Sequence, residues 1–123
     1  MKKKLLFVSF VFFQYVMFAQ EDAWVYFADK EDIVNSIANP LTILTQKAID
    51  RKTKHNIAID SRDVPINENY ISQIKNTNGI AVLAKSKWFN NIHVRGSEIE
   101  INSLLNFSFV NSIKFANDDL NRS

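Results

Sequence analysis

Few residues in this chain have the means to do chemistry. It holds two histidines, His55 and His93, two glycines and no cysteine. A serine nucleophile needs a base within hydrogen-bond reach and an oxyanion hole of preorganised donors, usually built on glycine-rich turns. His55 sits at the end of a charged stretch and His93 in an alternating run, and neither has a serine in a tight-turn context near it. A zinc site needs thiolates or closely spaced histidines, and the sequence offers neither. The acidic pairs Asp118-Asp119 and Glu98/Glu100 could in principle share acid and base roles. The first, however, lies near the C-terminus, and the second opens a helix, where carboxylates are favoured by the dipole. No phosphate loop or dinucleotide fingerprint occurs. The reading is therefore no catalytic residue, no metal and no cofactor. The basic cluster Lys47, Arg51, Lys52, Lys54 and His55 reads as a solvated helix end, where the dipole favours cations, rather than as an anion site.

The elements that must position the remaining candidates follow from periodicity. Ala23 to Lys30 is aromatic and β-branched, a strand with Val25 and Phe27 on one face and Trp24 and Tyr26 on the other. Asn39-Pro40 starts a helix over 41–54 with Leu41, Leu44 and Ala48 on one side. A polar connection over 60–65 leads to a second helix over 68–78, with Tyr70, Ile71 and Ile74 inward and Gly79 as its stop. Short strands follow over 80–84 and 91–95, the latter alternating Ile92 and Val94 with His93 and Arg95. Ser97 and Glu100 have the spacing of a capping box for a helix to about Asn106. The last strand, over 109–115, sets Phe109, Ile113 and Phe115 against Val110, Ser112 and Lys114.

This order predicts an α+β fold, a ferredoxin-like four-stranded antiparallel sheet with helices on one face. The other face is left open and carries Trp24, Tyr26, His93, Arg95 and Lys114, a set suited to docking.

The first nineteen residues have a separate role. Lys2, Lys3 and Lys4 precede an apolar run from Leu5 to Phe18, and Ala19 then meets Gln20, Glu21 and Asp22. That is the pattern of a secretory signal peptide, residues 1–19, cleaved after Ala19. The run is shorter than the roughly 20 residues a membrane span requires, so stable membrane insertion is not expected. The expected location is secreted or periplasmic. The segment carries three of the fifteen basic residues, leaving twelve against thirteen acidic ones, so the exported part has no excess of positive charge to attract nucleic acid.

Four stretches of the mature segment, in order, carry a resemblance: DAWVYFADK, NPLTILTQKAIDRKTKHNIAIDSRDVPIN, YISQIKNTNGIAVLAKSKWFNNIHVRG and FVNSIKFA. Together they resemble the N-terminal prosegment of secreted subtilisin-like serine proteases (subtilases) of the Bacteroidota type. The most specific match is Ser86, Lys87, Trp88, Phe89, Asn90, Val94 and Gly96, which resembles the family's link between the second and third strands; the run Lys47 to Lys52 resembles its basic helix.

The resemblance implies a prosegment-like domain over 20–116 that helps a subtilase catalytic domain fold and then blocks it as a product-like inhibitor. It also implies a tail over 117–123, with Asp118, Asp119, Leu120, Asn121, Arg122 and Ser123 extended in the protease cleft. Trp88 and Phe89 are expected to cap the core where two central strands turn, with Asn90 and Asn91 accepting the turn's backbone angles. The aspartate, histidine and serine motifs of a catalytic domain do not occur before Ser123. A truncated or split protease product and a free-standing inhibitor both fit. An alternative class, a secreted ferredoxin-like module that binds a peptide or glycan, would present the same open aromatic face.

Overall fold

A computed structural model describes residues 19–121; the segment read as a signal peptide, apart from Ala19, and Arg122 and Ser123 lie outside the described residues. Four strands, β1 (Glu21–Phe27), β2 (Ala81–Ser86), β3 (Asn91–Gly96) and β4 (Val110–Phe115), form one antiparallel sheet in the order β2-β3-β1-β4. Period-two alternation sorts their side chains. Ala23, Val25 and Phe27 of β1 and Ile92 and Val94 of β3 are buried, and Val25 lies opposite both Ile92 and Ile113.

Two of the four helices cover that face. Helix α1 (Ile33–Ala38) and α2 (Gln46–Lys54) follow β1, α3 (Glu68–Lys75) precedes β2, and α4 (Glu98–Ser103) joins β3 to β4. Ile74 of α3, Ile101 of α4 and Leu104 are fully buried against Val25, Ile92 and Val94. Among the described residues no helix is long and apolar enough to cross a membrane.

Several elements differ from their sequence expectation for local reasons. The helix expected over 41–54 is two pieces, a 3-10 turn (Pro40–Thr42) and α2, because Thr45 caps α2 by accepting the Ala48 N–H at 3.1 Å. Leu41 is consequently exposed, and α1 ahead of it was not anticipated. Helix α3 stops at Lys75, and Gly79 (φ 79°) serves the turn into β2 rather than the helix end.

The capping box at α4 forms, Ser97 Oγ accepting the Glu100 N–H at 3.2 Å. In β4 an extra residue interrupts the register, so that Val110 pairs with Phe27 and is buried instead of facing outward with Lys114. Gly96 of the family motif has a packing reason: a methyl group there would stand 2.8 Å from the Gly79 carbonyl oxygen and 2.9 Å from Ile80 Cδ1.

Candidate docking face

The face away from the helices gathers the residues that alternation assigned to it. Trp24 lies directly opposite His93 on β3 and Lys114 on β4, Tyr26 lies opposite Asn91 and Ser112, and Asp22 lies opposite Arg95. Trp24, Arg95 and Lys114 are exposed, and Tyr26 and His93 are partly so. The Trp24 and His93 rings are 5.2 Å apart.

Asp22, which the sequence reading left at the cleavage site, is the charge centre of this face. Its Oδ1 lies 2.9 Å from His93 Nε2 and accepts from Arg95 Nε at 3.0 Å. These bonds, that of His93 first, hold the Asp22 carboxyl below the usual carboxylate range. Alternation counted back from Trp24 would have placed Asp22 here. Lys114 has no carboxylate partner among the described residues, so the face carries more cationic groups than acidic ones.

The turn between β2 and β3 corrects the expectation for Trp88 and Phe89. Neither caps the core; Trp88 is 49% exposed and Phe89 71%. β2 is an edge strand, so the turn has a neighbouring strand on one side only. Trp88 instead packs with two cations, Lys52 Nζ at 5.3 Å and the Arg62 guanidinium at 5.7 Å from its ring centroid. Each cation has its carboxylate: Arg62 pairs with Asp60, lowering that carboxyl to about 2, and Lys52 pairs with the buried Asp63. Lys30, which the sequence reading missed, fastens the turn from below, its Nζ donating to the carbonyls of Lys87 at 2.6 Å and Ser61 at 2.7 Å.

Asn90 does take the left-handed angle expected of the turn (φ 53°), and its Nδ2 donates to the Asp29 carbonyl at 2.9 Å. Asn91 does not belong to the turn. It is the first residue of β3 and is buried on the open face, beside Ser86 at the end of β2. Val94 is fully buried on the helix side. Replacing Trp88 by alanine is expected to cost about 1–2 kcal/mol, the worth of two cation–π contacts and partial burial, rather than the roughly 3–5 kcal/mol of a buried aromatic. Urea unfolding of the Trp88→Ala variant measures this.

Over its described part, residues 117–121, the tail is not extended. Asp118–Asn121 forms a 3-10 turn, Leu120 packs in part against the core, and the Asn121 amide clasps Phe115. Its Oδ1 accepts the Phe115 N–H at 2.7 Å and its Nδ2 donates to the Phe115 carbonyl at 2.9 Å. An asparagine amide reproduces the donor and acceptor pair of a neighbouring strand, so it closes this point of the β4 edge. Asx chemistry of this kind leaves no periodic signal in a sequence.

These features define a class: an α+β domain with one packed sheet face and one uncovered, aromatic and cationic face. Residues 22–123 match the family described as "Peptidase S8 propeptide domain, Bacteroidota", and the chain belongs to that family. No curated protein and no solved structure shows a significant match. Membership supports a prodomain role in association with an S8, subtilisin-type catalytic domain.

Proposed function

We propose that this chain is the prodomain of a secreted subtilisin-like serine protease, exported through residues 1–19, which assists the folding of the catalytic domain and then inhibits it in a product-like way. The observation that carries the reading is the family match over nearly the whole exported segment. The strand order β2-β3-β1-β4, with helices in both crossovers, supports a ferredoxin-like arrangement. The docking surface is the open face, with Trp24 and Tyr26 as the apolar centre and His93, Arg95 and Lys114 as its polar flank.

Inhibition then requires the segment after Phe115 to run as extended peptide in the cleft, where backbone hydrogen bonds hold it with little regard to side chains. In the free domain that segment is folded back through Asn121, so docking must draw it out.

The test uses chain recovered from the outside of the cell, its N-terminus read by mass spectrometry and expected at Gln20. Titrated against a purified Bacteroidota S8 peptidase, it is expected to lower the rate of peptide hydrolysis to near zero at saturation. An unchanged rate with no complex formed removes the prodomain reading.

A further inference from the structure

Asn91 is an expensive choice for its position. Asparagine is disfavoured in strands, and here it is 4% exposed with its Oδ1 lacking any hydrogen-bond donor. A buried polar atom without a partner destabilises the fold unless something else gains from it. The side chain lines a cavity of about 390 Å³ on the open face, walled by Trp24, Tyr26 and Phe89 with Ser86 at its edge. Ligand pockets run from roughly 300 to 1,000 Å³, so this one has room for a single large side chain.

Phe89 is the second anomaly. It holds a phenyl ring 71% exposed on a turn that is otherwise rigidly fastened by Asn90 and Lys30. A pinned, exposed aromatic beside an unsatisfied amide is a wall awaiting an occupant, preorganised so that little freedom is lost on binding.

We propose that this cavity is a subsite for one side chain of the S8 catalytic domain, a neutral amide or hydroxyl carried on an apolar stem. The inference rests on the prodomain reading and adds the chemistry of the grip. No carboxylate or cation lines the cavity, so a charged group would surrender its hydration without a counter-charge. A cation would also meet Arg95 and Lys114 along the same strands, set against the single carboxylate of Asp22. The aromatic walls take the stem. A half-turn of the Asn91 amide exchanges its oxygen and nitrogen, so that it can offer the occupant either an acceptor or a donor.

The two variants that test this are Phe89→Ala and Asn91→Leu, bound to a Bacteroidota S8 catalytic domain whose nucleophilic serine is replaced by alanine. Phe89→Ala should leave the melting temperature of the free chain unchanged, because the ring packs on little, yet weaken binding roughly 10- to 30-fold. Asn91→Leu keeps the volume and removes the unpaired oxygen. It should melt at or above the wild-type temperature and still bind roughly tenfold more weakly. Wild-type binding with Phe89→Ala unaffected overturns the subsite. Weakening by Phe89→Ala with Asn91→Leu unaffected overturns the hydrogen-bonded occupant. If the wild-type chain does not bind at all, the prodomain reading fails, and this proposal with it.

Discussion

Replacing Lys52 by alanine is expected to destabilise the domain by roughly 3–5 kcal/mol, the cost of leaving a buried charge without its partner. Asp63 is 1% exposed. Its Oδ2 accepts the Asp60 N–H at 3.1 Å, whereas its Oδ1 has only the Lys52 ammonium, at 3.2 Å and without hydrogen-bond alignment. Lys52 is itself largely covered, its side chain 14% exposed beneath Trp88. Without that cation the carboxylate keeps one hydrogen bond and only the more distant charges of Lys30 and Arg62.

Lys47→Ala, at an exposed position on the same helix, should stay within about 0.5 kcal/mol of wild type. Converting the pair to Lys52→Met with Asp63→Leu should recover a large part of the loss, because the desolvation of both charges is removed with them. Recovery will be incomplete, since Asp63 also completes the capping box of the Ser61–Asp63 turn. Urea midpoints of the four chains decide it. A loss below about 1 kcal/mol for Lys52→Ala would show that water reaches Asp63.

That ion pair marks a limit of what sequence can disclose. Trp24, Tyr26, His93, Arg95 and Lys114 could be assigned to one face because alternation along a strand is a local rule, and neighbouring strands inherit it through their register. Nothing local distinguishes Lys52 from Lys47, Arg51 or Lys54; what singles it out is a loop that brings Asp63 under it. Trp88 misled for a related reason. A tryptophan in a turn reads as core until it is known that β2 lies at the sheet edge and that Lys52 and Arg62 pack over the ring. One inserted residue in β4 turns Val110 inward, whereas Phe109 still packs on the core as alternation predicts. Asn91 was placed in the turn by its residue type, although the strand claims it. The family resemblance, by contrast, was legible because it rests on residue types in order and needs no geometry.

Deleting Asn117 to Ser123 is expected to do two separate things. By sequence none of these residues occupies a periodic apolar position, which predicts little contribution to stability. The folded turn changes that expectation. Leu120 covers part of the core, and the Asn121 amide makes two hydrogen bonds with the Phe115 backbone. At about 1 kcal/mol for each bond and a similar amount for a half-buried leucine, the deletion should cost roughly 2–3 kcal/mol and leave the domain folded.

It should also abolish most inhibition of an S8 peptidase while leaving binding through the sheet face largely in place. Asn121→Ala separates the two effects. It removes the clasp but keeps the peptide, so it should cost about 1–2 kcal/mol of stability and inhibit at least as well as wild type, the turn being easier to draw out. Thermal unfolding, binding and inhibition measured side by side on the three chains give the answer. If the deleted chain inhibits as well as the full one, the tail does not enter the cleft, and the open face must block the protease by position alone.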